Sequence, residues 1–331
     1  MELMIALAVF ALIVPVMVVF LSKSRELMAS DEALNQLKTN AQTTLTDIHN
    51  AIEGNVRIID ATQTSFFSNL NLSGAPVSMT GTTLPTIDAA VTAFSPTDPD
   101  AVSADWGNSL MFLTNTSTDT FQVVSSSGVT DNVAFNVDQI NYYYLTPNTT
   151  NSLSAAPSYK LIYWTSVPMV DYGELSSSFV QNDPAIEHQA VSILYNVYGV
   201  THSLDFSNGN YYALTSSEEV TNDPHTIKPN TAQPITLTTI TNGILSGGFE
   251  YGIACNSNQY NAGWSSPVPV PEYATVTGNF PGGFEVGIFG NPDAREVFIR
   301  IALVAQGAFP GLVYNDLSSL STVWDAWSSS P

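Results

Sequence analysis

The chain is poor in positive charge and nearly devoid of cysteine. Eight Lys and Arg stand against 29 Asp and Glu, a net charge of −21. After Arg57 the only basic residues are Lys160, Lys228, Arg295 and Arg300. Such a surface repels polyanions, so nucleic acid and anionic lipid are excluded as partners of the globular part. Cys255 is the single cysteine. It excludes an intrachain disulfide, and within Tyr251-Gly252-Ile253-Ala254-Cys255 it reads as a buried thiol. His49, His188, His202 and His225 are too scattered to make a zinc motif. Gly-x-Ser-x-Gly, phosphate-loop and Cys-x-x-Cys patterns are all missing, so neither an enzyme nor a cofactor is expected.

Against these absences stands one long apolar run. Residues 3–21 carry no charge, begin directly after Glu2 and end in Ser22-Lys23-Ser24-Arg25. At about 1.5 Å per residue the run makes a helix of about 28 Å, close to the hydrocarbon thickness of a bilayer. Lys23 and Arg25 are the interfacial anchors of its far end, on the cytoplasmic side. Glu2 is costly in an apolar medium without a partner. The helix N-terminus favours it modestly, and the free α-amino group of another subunit would favour it more. Pro15 removes a backbone donor, so residues 11–14 are expected to be kinked or locally unwound; the alternative is a static, tolerated kink.

The helical pattern continues past the charged tetrapeptide. Leu34, Leu37, Ala41, Leu45, Ile48, Ile52, Val56 and Ile59 recur at intervals of three and four, with Asp31, Lys38, Asp47 and Glu53 largely elsewhere. That spacing predicts one amphipathic stripe and one rod of about 60 residues. The part nearer the membrane must find apolar company outside its own domain. Lipid or neighbouring copies supply it.

Glu2-Leu3-Met4-Ile5-Ala6-Leu7-Ala8-Val9-Phe10-Ala11-Leu12-Ile13 resembles the N-terminal helix of type IV pilins and type II secretion pseudopilins. The likeness covers about the first 60 residues, and Pro15 resembles the helix-breaking proline of those proteins, a few residues early. The residues that precede the hydrophobic-Glu pair in the family, and its leader peptide, are not in this sequence. Either the sequence starts inside the processed protein or the likeness is partial. The resemblance implies a filament subunit with a processed, methylated N-terminus. In it Glu2 neutralises a neighbour's amine and sets axial register, while Leu3, Phe10 and the rest of the run form the fibre core around Pro15.

Beyond residue 61 the pattern turns to β. Met111-Phe112-Leu113, Thr120-Phe121-Gln122-Val123-Val124, Ile140-Asn141-Tyr142-Tyr143-Tyr144-Leu145 and Tyr159-Lys160-Leu161-Ile162-Tyr163-Trp164 read as short strands, and Ser125-Ser126-Ser127-Gly128 as a turn. Ala190-Val191-Ser192-Ile193-Leu194-Tyr195-Asn196-Val197-Tyr198 fits a helix or a strand. Gly247-Gly248-Phe249-Glu250-Tyr251-Gly252-Ile253 is echoed by Gly282-Gly283-Phe284-Glu285-Val286-Gly287-Ile288, read as two similar strands of one sheet entered through glycines. Residues 294–305 alternate as a further strand, and the proline-rich residues 266–271 as an extended connector.

Loops rich in oxygen ligands offer few sites. Asp98, Asp100 and Asp105, and Glu218-Glu219 with Asn222 and Asp223, supply hard donors without EF-hand spacing, and solvated turns are the preferred reading. Asn71, Asn115 and Asn148 head formal glycosylation triplets.

The expected fold is α+β: a long, pilin-like N-terminal helix packed on an antiparallel sheet, with an additional mainly-β C-terminal region. Residues 1–28 are the filament-core or transmembrane helix, 29–62 its amphipathic half, 63–175 a pilin-like head and 176–331 the added surface region. The expected role is a structural subunit of an extracellular type IV pilus-like filament on the cell surface. Its partners are copies of itself or other pilins, after insertion in the inner membrane. The alternatives are a minor pilin or pseudopilin at a filament tip, or a membrane-anchored adhesin with an unidentified surface ligand.

Overall fold

The computed structural model describes residues 2–63, 84–88, 106–147, 159–175, 183–205, 211–214, 220–222, 238–239, 243–245, 248–254, 283–291, 295–306 and 312–323. The architecture is α+β, one long N-terminal helix against a large, mainly antiparallel sheet. Helix α1 runs Glu2–Glu53 without interruption. It stops short of the expected 62 because Gly54, a poor helix former, precedes the β-branched run of strand β1, Asn55–Ile59. Val56 and Ile59 of the expected stripe therefore belong to a strand.

β1 pairs antiparallel with β3 (Leu110–Val124), which in turn pairs with β4 (Thr130–Pro147) along almost its whole length. β3 is one strand where the sequence suggested two. A register shift between Asn115 and Ser117 inserts one extra residue and flips the pleat. Before it, Leu110 and Phe112 point to the α1 side; after it, Phe121 and Val123 do. The turn between β3 and β4 is closed by Gly128 N–H on Ser125 O at 2.9 Å, with Gly128 at φ +81°. That left-handed conformation suits glycine.

β4 organises three apolar clusters by position alone. Its odd residues Val133, Phe135 and Val137 join one cluster, and Tyr143 and Leu145 join another further along the same side. Asn141 separates them: buried, it accepts from Tyr163 Oη at 2.6 Å and donates to Thr114 Oγ1 at 2.8 Å. Even residues Ile140, Tyr142 and Tyr144 face the opposite side, with Trp164, Met111 and Ile59. β5 (Tyr159–Thr165) pairs antiparallel with β4, so the runs 140–145 and 159–164, read as strands, lie side by side.

β6 (Met169–Asp171) leads into the single-turn helix α2 (Tyr172–Leu175) and then helix α3, Pro184–Asn196. The ambiguous stretch 190–198 is thus mostly helical. Asp183 caps α3 by accepting from Ala185 N–H at 3.0 Å, with proline in the first turn. The same carboxylate takes Ser126 N–H at 2.8 Å, which fixes α3 to the β3–β4 turn. Ile186, Ala190, Val191 and Leu194 then fill the cluster around Phe135 and Val137. β7 (His202–Leu204), β8 (Tyr211–Leu214) and β9 (Val220–Asn222) extend the sheet beyond β6.

The C-terminal strands do more than decorate the head. Besides the short β2 (Ile87–Asp88), β10 (Thr238–Thr239) and β11 (Gly243–Leu245), there are β12 (Phe249–Ile253), β13 (Phe284–Phe289), β14 (Arg295–Gln306) and β15 (Leu312–Val323). β15 lines one side of β14; β13 and β12 lie end to end along the other. This explains the echo of the two Gly-Phe-Glu segments, which occupy equivalent positions beside one strand. α1 packs chiefly on β15 and β14. The expected division at residue 175 therefore does not separate the helix from the later strands, because they share one core.

Candidate assembly surface

The buried stripe of α1 is Ala33, Leu37, Ala41, Leu45, Ile48 and Ile52, all at most 4% exposed. Five of these match the expected periodicity. The stripe begins at Ala33, because Leu34 points outward at 40% exposure. Small residues at 33 and 41 let the rod lie close to the strands, and Leu37, Ile48 and Ile52 fill the gaps between Phe112, Ile299 and Ile301 and their neighbours. This half of α1 is what fixes the helix to the head.

The first half has no such cover. Leu3 is 76% exposed, Leu7 64%, Phe10 69%, Leu12 73% and Phe20 71%; other large apolar side chains of the run, on every side of the rod, are similarly open. Monomeric soluble proteins rarely leave large contiguous apolar patches uncovered, and here exposed apolar side chains follow one another from Leu3 to Leu21. Its far end carries charge again, with Lys23 Nζ 2.8 Å from Glu26 Oε2. Leu27 and Met28 are still exposed beyond that pair, so the open surface reaches almost to the head.

Pro15 lies inside unbroken helix. Local unwinding at residues 11–14, expected from the sequence, is not what the chain adopts. Proline costs the Ala11 carbonyl its intrahelical donor, but melting the turn would release several more backbone groups among apolar side chains. The continuous helix is the cheaper arrangement. Glu2 opens α1; its side chain lies outside the described set.

Among the described residues no helical stretch is long and apolar enough to cross a membrane. Asn115 is described and exposed, at the bulge of β3, its Nδ2 3.3 Å from Asp138 Oδ1. Asn71 and Asn148 lie outside the described residues, as do Asp98, Asp100, Asp105, Glu218, Glu219, Asp223, Cys255, His225 and residues 266–271. Asn222 ends β9. No grouping of three or more His, Cys, Asp or Glu suited to a metal ion occurs among the described residues. Comparison with family models, curated proteins and solved structures returns no match to this chain.

Proposed function

We propose that the chain is a structural subunit of an extracellular type IV pilus-like filament, with residues 3–21 forming the fibre core and the α+β head displayed outside. The observation that carries this reading is the contrast within one continuous helix. From Ala33 on, its apolar stripe is sealed by the head; before that, its apolar side chains have no cover in the single chain. Neighbouring copies of the same rod would supply the cover, after a stage in the inner membrane, where lipid supplies it instead. The pilin-like arrangement of helix and sheet supports the same reading. The competing reading, a lipid anchor carrying a surface adhesin, rests on the same exposed rod.

Deleting residues 1–29 tests the proposal. A chain starting at Ser30 is expected to stay folded through its buried stripe and to remain monomeric in size-exclusion chromatography. The full chain is expected to form fibres visible by negative-stain microscopy. Glu2→Ala is expected to lower fibre yield and leave the head intact, because a rod core tolerates an unmatched charge poorly. A full chain that stays monomeric in detergent, never polymerising on detergent removal, refutes the filament and favours the anchor. Labelling confined to fibre tips would assign a minor pilin.

A further inference from the structure

Strand β3 has two edges with different fates. One pairs with β4 along almost its whole length, while the other is covered by β1 only from Met111 to Thr114. After Thr114 no described strand pairs with that second edge. Thr116 is the bulged residue, so the regular edge begins at Ser117. It ends at Val124, whose N–H donates to Gln189 Oε1 at 2.9 Å and whose carbonyl accepts from Gln189 Nε2 at 2.7 Å. Ser125 N–H turns the other way, to Val129 O at 2.8 Å. The direction alternates along an antiparallel strand, so Thr118, Thr120 and Gln122 also aim their N–H and carbonyl groups away from β4. Gln189 of α3 thus imitates a neighbouring strand at one residue, and the three before it offer the same pair of groups to none of the described strands.

The side chains of this edge do little to guard it. Thr118, Thr120, Gln122 and Val124 are exposed on one side of the sheet, and Phe121 and Val123 pack beneath α3 on the other. Native edges are commonly protected by charged side chains, lysine above all, and by proline. Residues 117–124 hold no lysine and no proline, and their one charge, Asp119, is engaged by Ser117 Oγ at 2.9 Å. Copies of a chain with net charge −21 repel one another over most of their surface. A stretch with one acid in eight residues is where two copies meet the least repulsion.

We propose that this edge takes the same edge of a second copy, the two β3 strands running antiparallel about a twofold axis at Thr120. Thr120 is the midpoint between Thr116, lost to the bulge, and Val124, occupied by Gln189. Centred there, Thr118 of each copy lies opposite Gln122 of the other, and the three pairs make about six backbone hydrogen bonds. Asp119 meets Phe121, so no acid faces an acid. So small a contact falls short of the roughly 1,200 Å² that stable complexes bury, so single heads stay apart and only arrays of heads are held. In the filament reading, on which this setting rests, neighbours within one helical fibre meet head to tail, whereas a twofold contact joins heads of two fibres side by side.

Thr120→Pro tests this in the full chain. Proline removes only the outward N–H, which the described fold does not use, and an edge strand tolerates it there. Parent fibres are expected to lie in side-by-side bundles by negative-stain microscopy. Thr120→Pro fibres are expected to form in equal amount but singly, with bundles reduced about tenfold or more. The same two proteins in phosphatidylcholine vesicles give a readout that needs no fibre: at about 0.15 M salt parent vesicles are expected to cluster in light scattering and variant vesicles to stay dispersed. Absence of fibres refutes the filament, and the vesicles then decide the edge. Should Thr120→Pro fail to fold by circular dichroism, Thr120→Lys, which sets two like charges at the axis, is read the same way. Parent vesicles that stay dispersed, or parent fibres that stay single, overturn the contact and leave the edge to a strand of another protein. Bundling or clustering undiminished in a folded variant overturns it too.

Discussion

Glu285 and Arg300 sit directly opposite each other on β13 and β14, and both side chains are sealed from solvent, Glu285 Oε2 meeting Arg300 Nη1 at 2.5 Å. They lie on the side of the sheet away from α1, as their place between Phe284, Val286, Ile299 and Ile301 requires. Removing one partner takes from the other its opposite charge across the two strands, in a medium that solvates charge badly. Glu285→Ala is expected to destabilise the Ser30-start chain by about 3–5 kcal/mol in urea denaturation. Glu285→Leu with Arg300→Met is expected to cost less than the single change, since no unmatched charge remains. A single variant as stable as the parent would refute the pairing.

Two glycines give opposite expectations. A Cβ on Gly283 would stand 2.1 Å from the carbonyl oxygen of Ala254, where β12 ends and β13 begins. Backbone occupies that space on both sides, with Ala302 N–H bonded to Gly283 O and Ala254 N–H to Ala302 O, each at 2.8 Å. Gly283→Ala is expected to lower the melting temperature severely or prevent folding. A Cβ on Gly128 would meet nothing within 4 Å, so Gly128→Ala meets only its positive φ and is expected to cost about 1 kcal/mol.

Phe10 and Leu37 separate assembly from folding along one helix. Leu37 is fully buried against the strands, and Leu37→Ala is expected to cost about 2–4 kcal/mol of head stability. Phe10 is 69% exposed, so Phe10→Asp is expected to leave the thermal unfolding of the head unchanged. Under the filament reading it depletes fibres in sedimentation. Equal loss of head stability in both variants would contradict the division of α1.

Burial of Asp138 bears on overall stability. Asp138 holds its proton up to about 7, against an ordinary value of 3.8. The native chain therefore binds more protons than the unfolded one between those values, and stability falls as pH rises through that window. Asp138→Asn is expected to be more stable than the parent at pH 8 and close to it at pH 4, in denaturant melts at both values. A parent more stable at pH 8 than at pH 5 would reverse the sign and refute the assignment.

The amphipathic stripe was legible because Leu37, Ala41, Leu45, Ile48 and Ile52 need only local spacing to be recognised. Its end was not: Val56 and Ile59 keep the helical interval, and only their pairing with β3 makes them a strand. β3 read as two strands because the bulge after Asn115 reverses which residues face the core, and a reversal of phase looks like a gap. The buried acids escaped notice for a different reason. Asp138 and Asp171 come from separate strands, and only the pairing of β4 with β6 brings them to one side of the sheet. Proline lowers helix preference locally, yet at Pro15 the helix runs on unbroken, held by the turns on either side of it. The exposed rod itself was plain from residues 3–21, since a run without charge needs no partner to be seen.

The packing of α1 on β14 and β15 also imposes an order in time. The stripe from Ala33 to Ile52 is made well before the strands it packs on most, which are the last among the described residues. Until residues 295–323 arrive, those side chains lack most of their native cover, and closing so large a loop is slow. A nascent chain in this condition is vulnerable to clumping. Under the filament reading, holding the first helix in a membrane while the remainder is synthesised would keep that hazard away from other nascent chains.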